Sequence, residues 1–315
     1  MKKFLLVFIC VLLVLFGSNY YLNTNKNKSI SLTLPLPFNF TILKNPQVST
    51  LDIWDPRRVF GQNMSLNITG KSALAYDLTT NKVLFIKNPN QRLPMASLTK
   101  IMTAIVALEH PLSSDQYLVK KQYLVGEDSM GLSSGEILSL KELLYGLVLH
   151  SGNDAAETLA GNFSGGRNAF IKAMNEKALS LGLNNTHFTN PTGLEGDGDQ
   201  YTTAYDLLIE TRYALKNFLV LDQVVATFDH NIYATSFHKA YYLENETNLL
   251  TSYPGVMGVK DGYTPQAGLC LVTYLDYKGH KIIAVLLGSD DRRGEMKEIL
   301  DYSLKEEGVI PPKHG

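Results

Sequence analysis

Cysteine is nearly missing from this chain: 315 residues contain two, Cys10 and Cys270, far apart and each in an apolar run. A disulfide framework is therefore excluded, and no paired Cys or His spacing of the zinc-binding kind occurs, so no metal site is expected. Charge of one sign is missing as well. Lysine and arginine number 29 against 30 aspartates and glutamates, a formal charge of −1, and no basic stripe gathers them. That argues against nucleic acid as a partner, because phosphate binding needs clustered cations. No segment repeats. The 45% hydrophobic content is that of an ordinary globular chain, enough for one large domain or two modest ones.

One long apolar run is present. "MKKFLLVFICVLLVLFG" sets two lysines before an unbroken stretch from Phe4 to Phe16, the build of a secretory signal. The chain is expected to be exported, the lysines keeping the N-terminus inside and the rest outside. Small residues Gly17 and Ser18 follow bulky Leu15 and Phe16, and Tyr20 to Leu22 prolong the apolar stretch. Residues 1–22 thus read either as a cleaved signal peptide or as an uncleaved anchor, which would make the membrane a partner and place the protein on the extracytoplasmic face. Cys10 has no small residue before it, so lipidation is not expected. Residues 23–69 read as a polar tether and an N-terminal extension packing on the domain, and residues 70–310 as the domain itself.

Within that domain "SALAYDLTTNKVLFIKN" predicts an antiparallel hairpin. "SLKELLYGLVLH" predicts a helix capped by Ser139, with Glu142 as its capping-box partner. "AAETLAGNF", "GRNAFIKAMNEKALSLGL" ended by Gly182, and "TTAYDLLIETRYALKNF" read as helices. "GLCLVTYLDYKGHKIIAVLLG" reads as a long hairpin and "GEMKEILDYSLKE" as a closing helix. Strands at both ends with helices between predict an α+β fold whose sheet joins distant parts of the chain.

Three short motifs carry chemistry. In "PMASLTKIMTA" Ser97 stands at a helix start with Lys100 one turn on, so their side chains can meet. Alone the pair is a cap and a solvated charge. The apolar run "IMTAIVALEH" that follows would desolvate Lys100, lower its pKa and make it a base toward the Ser97 hydroxyl. "LHSGNDAAETLA" places Ser151 and Asn153 in a loop between helices, and "GVMGVKDGYTPQAGLCLV" places Lys260, Asp261 and Gly262 at the head of the first strand of the long hairpin. Each of these alone is an ordinary turn.

Together, in this order, they resemble the penicillin-recognising serine enzymes, and the sequence from roughly Gly70 to Ser303 is similar to the D-alanyl-D-alanine carboxypeptidases, the low-molecular-mass penicillin-binding proteins. "ALAYDLTTNKVLF", "GLSSGEILSLKELLYGLVLHSGNDAAETLA" and "THFTNPTGLEGDG" look like further blocks of that family. The resemblance implies a β-lactamase/transpeptidase-like fold, an antiparallel sheet flanked by helices with a helical subdomain. It implies a serine-type carboxypeptidase with no cofactor, acting on peptidoglycan peptides and inhibited by β-lactams. Ser97 would be acylated, Lys100 would take its proton and Ser151 would relay a proton to the leaving amine. Asn153 would hold the substrate backbone and orient Lys100. Backbone N–H groups of Ser97 and Tyr263 would meet the oxyanion, with Gly262 leaving room. Lys260 would supply positive charge beside Ser151, and Arg292, or Arg293 in a shifted register, would help bind the terminal carboxylate. No deacylating glutamate block of the lactamase kind is present, and Glu195 reads as a solvated loop residue. One departure stands out. The family's hydroxyl residue is replaced by Asp261, which when ionised cannot donate a hydrogen bond and repels a carboxylate. Two rival readings follow: an endopeptidase on crosslinked peptidoglycan, and a catalytically weak wall-binding or β-lactam-sensing module.

Overall fold

The structure, a computed structural model, describes residues 66–247 and 249–314. The signal segment 1–22 and all of the tether up to residue 65 lie outside the described residues.

Five antiparallel strands form the main sheet in the order β2-β1-β9-β8-β7. They are β1 (Ser72–Asp77), β2 (Lys82–Lys87), β7 (Val256–Thr264), β8 (Gly268–Tyr277) and β9 (His280–Ser289). Two small ribbons, β3 (Tyr117–Leu118) with β4 (Ile137–Leu138) and β5 (Asp229–Ile232) with β6 (Tyr241–Glu244), lie outside it. The central strand explains why "KIIAVLLG" is apolar throughout instead of alternating. Along β9, Ile283, Val285 and Leu287 enter one core while Ile282, Ala284 and Leu286 enter a second on the opposite face. A strand covered on both sides buries every residue, and each large aliphatic side chain so placed contributes roughly 1.5 to 3 kcal/mol.

The helices are α1 (Thr99–Glu109), α2 (Leu140–Leu149), α3 (Asn153–Gly161), α4 (Gly166–Ser180), α5 (Ala204–Asn217), α6 (Leu219–Val225), α7 (Leu249–Ser252) and α8 (Arg292–Glu306). Among the described helices, only α8 and α7 share the second core, through Met296, Ile299, Leu300, Leu304 and Leu249. The others build the layer on the opposite face. At its centre α1 is buried from Thr99 to Leu108, as a helix apolar all round must be. The expected capping box is present at α2: Ser139 accepts from Glu142 N–H and the Glu142 carboxylate accepts from Ser139 N–H. Gly182 follows α4 with φ +75°, a left-handed position that favours glycine.

Ser97, expected at the helix start, lies in a 3-10 turn, Ala96–Leu98, that runs directly into α1. Two expectations need correction. Asn153 belongs to no loop but opens α3. Lys260 to Gly262 do not head the hairpin's first strand. They lie inside β7, a separate edge strand paired Lys260↔Val272, Asp261↔Leu271 and Gly262↔Cys270, so the predicted hairpin is the inner part of a three-stranded meander. The ribbons and α6 carried too few periodic residues to be read in advance. Of the extension, Ile68 is buried in the second core, and Thr69 N–H donates to the Glu295 carboxylate at the start of α8.

Candidate active site

Ala96, just before Ser97, has φ +49°, a left-handed conformation that costs a non-glycine residue of order 1 kcal/mol or more. It turns the chain so that Ser97 stands partly exposed while Lys100, three residues on, is buried at 1% exposure. Lys100 Nζ lies 2.8 Å from Ser97 Oγ, 2.8 Å from Asn153 Oδ1 and 2.7 Å from the Thr192 carbonyl. Burial, and then the charge of Lys260, hold its pKa well below the ordinary lysine value, against the opposing pull of Asp128, Asp261 and Glu246. A neutral amine has two N–H groups and one lone pair. The Thr192 carbonyl and Asn153 Oδ1 can only accept, so both N–H groups are committed to them. The lone pair is then left for Ser97, whose hydroxyl donates to it. This arrangement makes Lys100 a base aimed at one proton.

Two loops hold that geometry. Asn190 Oδ1 accepts from Thr192 N–H at 3.1 Å and Gly193 N–H at 2.7 Å, while Thr103 of α1 bonds the Pro191 carbonyl at 2.7 Å. Gly193 has φ +92°, and a Cβ there would fall 2.0 Å from the Ala96 carbonyl oxygen, so only glycine lets this loop press on the 3-10 turn. On the other side Asp154 accepts from Met130, Gly131 and Leu132 N–H and from the Ser129 hydroxyl at 2.6 to 3.1 Å, fixing the loop beside Ser151 and Asn153. Sequence reasoning missed Thr192, Asn190 and Asp154. The Asn-Pro-x-Gly turn and an acid in the first turn of α3 were the available signals.

Ser151 is buried, with φ +52°, a second strained position at this cleft. Lys260 Nζ donates to the Asp261 carbonyl and to Asp261 Oδ1, both at 3.0 Å, and its charge acts on Lys100. Arg292 in the first turn of α8 donates to Asp261 Oδ2 at 2.6 Å and to the Gly262 carbonyl at 3.1 Å, whereas Arg293 is exposed. Burial pushes the Asp261 carboxyl up, but Lys260 and Arg292 outweigh it and hold it below the usual carboxylate value. Asp261 is therefore an ionised clamp between two cations.

Gly262 joins the two halves. A Cβ there would lie 2.8 Å from the Ser97 nitrogen, so β7 can run against the 3-10 turn only because the side chain is absent, bringing the Gly262–Tyr263 peptide beside Ser97 N–H. The Tyr263 ring is exposed. Glu195 is exposed too, its carboxylate accepting from Gln266 N–H at 2.9 Å in the β7–β8 turn. A separate cavity of about 630 Å³ borders Thr192 from beyond, lined among others by Glu157, Arg167 and Asp197; Arg167 there is committed to both acids.

A serine turned on a desolvated lysine, set where an antiparallel sheet edge meets a helical layer, with backbone N–H groups beside it, defines an acyl-transferring serine enzyme. Within that class the chain belongs to the D-alanyl-D-alanine carboxypeptidase family of peptidases, whose profile matches residues 59–291. It is 37% identical over 251 residues to the D-alanyl-D-alanine carboxypeptidase DacF of Bacillus subtilis, a match covering 76% of this chain and 64% of that protein, just under two thirds of its length. It is 36% identical over 215 residues to the D-alanyl-D-alanine endopeptidase of Escherichia coli, covering 65% of this chain and 66% of that one. Among solved structures, the Streptomyces K15 DD-transpeptidase superposes with a TM-score of 0.72 at 32% identity, over 77% of this chain and all of that one. The α+β fold of the penicillin-binding peptidases, expected from the sequence, is the fold observed.

Proposed function

We propose that the protein is a serine D-Ala-D-Ala carboxypeptidase that removes the terminal D-alanine from peptidoglycan stem peptides. The observation that carries this is Lys100 Nζ, held between Thr192 O and Asn153 Oδ1 so that its remaining valence faces Ser97. Ser97 Oγ attacks the carbonyl of the penultimate D-alanine as its proton passes to Lys100. The developing oxyanion lies against the N–H groups of Ser97 and Tyr263. The C–N bond breaks with a proton delivered to the leaving amine through Ser151, and water then releases the acyl group from Ser97. Asn153, with its Nδ2 unpartnered, meets a peptide carbonyl of the substrate. Lys260 and Arg292 draw the terminal carboxylate, with Asp261 between them. The soluble domain incubated with diacetyl-L-Lys-D-Ala-D-Ala is expected to release free D-alanine, and benzylpenicillin to add its mass to the peptide containing Ser97. No release and no adduct would overturn the reading.

A second reading is favoured by Asp261, which leaves the Lys260, Asp261 and Arg292 group with one net positive charge where the two cations alone would carry two. A carboxypeptidase needs affinity for a free terminal carboxylate; an endopeptidase on crosslinks whose leaving residue carries a neutral group does not. Strand separation of a crosslinked muropeptide without D-alanine release from the tripeptide would favour it.

The lysines and apolar run at the N-terminus support a protein held to the extracytoplasmic face of the membrane by residues 1–22. The native protein is expected to sediment with membranes and to keep that segment. A mature N-terminus at or beyond Asn19 would show release instead.

A further inference from the structure

At the end of the sheet away from Ser97, three metal-ligating side chains converge. Asp77 ends β1, His280 opens β9 and Glu307 follows the last residue of α8. One ligand atom from each lies within 4.8 Å of those of the other two. β9 runs from His280 to Ser289, and Arg292 just beyond it belongs to the cleft, so the length of the strand, roughly 30 Å, separates this group from the reaction. Its members are far apart in the chain, His280 standing 203 residues after Asp77, and no spacing pattern shows them in the sequence.

Both carboxylates are oriented from behind. Asp77 is fully buried and the Glu307 side chain is 6% exposed. Asp77 Oδ1 accepts from Thr79 N–H at 2.7 Å, and Glu307 Oε1 accepts from the Thr80 hydroxyl at 2.9 Å. Hydrogen bonds of this kind to one oxygen hold a carboxylate ready to ligate through the other. The other oxygens meet partners that a metal can replace. Asp77 Oδ2 lies 2.6 Å from His280 Nδ1, and Glu307 Oε2 accepts from Lys82 Nζ at 3.1 Å, the Lys82 side chain being 56% exposed. With the His280 ring proton on Nε2, the Nδ1 lone pair is free for a metal, and the pair need part by only about 0.7 Å to admit an ion with bonds near 2.0 to 2.1 Å. In that neutral state two carboxylates and one ammonium leave one net negative charge in a largely buried place, which a bound cation would relieve. Lys82 can turn into water at little cost, because an ion pair so exposed contributes little.

We propose that Asp77, His280 and Glu307 bind one zinc ion, with water as the fourth ligand, as a structural clasp that ties the β1–β2 and β8–β9 turns to the C-terminal end of α8. Two carboxylate oxygens and one imidazole nitrogen suit zinc, whereas magnesium and calcium prefer oxygen alone. The clasp is independent of the chemistry at Ser97 and does not rest on the carboxypeptidase reading.

The test strips the full chain with a chelator, adds zinc chloride, and reads the metal content, the affinity by titration calorimetry and the melting temperature. Wild type is expected to take up one zinc per chain and, at about a hundredfold excess of free zinc over Kd, to melt about 5 to 10 °C higher. Magnesium or calcium chloride at the same concentration should leave the melting temperature where it was. His280→Ala and Glu307→Gln should each weaken zinc binding by about tenfold or more. Lys82→Met, which removes the competing ammonium, should tighten it several-fold; were the group only a network of ion pairs, this variant would melt lower and bind no zinc. Acylation of Ser97 by benzylpenicillin should stay within about twofold with and without zinc in all of these proteins, as sites so far apart act independently. No stoichiometric zinc on the wild type, or zinc held equally by His280→Ala and Glu307→Gln, overturns the site. Acylation that falls as zinc is added would put the ion in the cleft and overturn it as well, whereas the absence of any acylation strikes the carboxypeptidase reading and leaves the clasp standing.

Discussion

Lys100→Met is expected to lower the rate of Ser97 acylation by benzylpenicillin by about three decades, within the range of roughly 10² to 10⁴ for loss of a positioned general base. Methionine fills the buried volume without a titratable group, so the loss reports proton transfer more than packing. Asn153 Oδ1 and the Thr192 carbonyl lose their donor in this variant, at about 1 to 3 kcal/mol of stability, so the melting temperature should fall while the fold persists. In the wild type the acylation rate should rise with pH as Lys100 loses its proton. Because burial and Lys260 both depress that pKa, the rising limb lies well below the ordinary lysine range. Lys260→Ala removes one of the two depressing causes, which raises the Lys100 pKa and moves the limb to higher pH. Acylation of Lys100→Met within tenfold of wild type would mean that the proton leaves Ser97 by another route.

The residues of this site were legible in the sequence through the resemblance to the penicillin-recognising serine enzymes, whose motifs in that order set a serine one turn from a lysine, an amide beside a serine and a glycine after a lysine on a strand. What was not legible is their mutual arrangement. The helix start at Ser97 was readable, but the left-handed Ala96 just before it, and the 3-10 turn it opens, were not. Tertiary contact with Gly193 and Gly262 enforces that conformation, and no local pattern encodes it. The bond from the Lys260 side chain to Asp261, one residue away on the edge strand β7, was not foreseen either. Arg292 and Asp261 are 31 residues apart, and only the packing of α8 after β9 brings them together. The α+β class was the easier inference, since β9 and β1 are apolar or alternating at either end of a helical middle, and a sheet must join them.

Asp261→Thr is expected to raise kcat/KM on peptides ending in D-Ala-D-Ala by one to two decades, the worth of roughly 1.5 to 3 kcal/mol for a hydrogen bond to a charged group. The reason lies in the clamp. In the wild type both cations that would attract a substrate carboxylate already face an internal one, with Oδ1 on Lys260 and Oδ2 on Arg292. Threonine removes that competitor, leaves two net charges for the substrate and adds a hydroxyl that can donate. A substrate whose terminal carboxylate is amidated gains nothing from either change, so the ratio of free-acid to amidated rates is the readout. The same substitution should destabilise the protein. Lys260 is 2% exposed, and removing the anion from a buried pair costs about 3 to 5 kcal/mol, so the variant should melt lower and recover when an acyl-enzyme or a carboxylate ligand fills the site. Asp261→Asn, which keeps the shape and drops the charge, guards against a collapse of the fold and should show the same preference in weaker form. Mild acid cannot substitute for these variants. The Asp261 carboxyl is held below its usual range, so lowering the pH protonates Lys100 first and the rate falls on both substrates. A free-acid to amidated ratio unchanged in both variants would mean that the clamp does not face the substrate terminus, and that Asp261 serves only to hold α8 against β7.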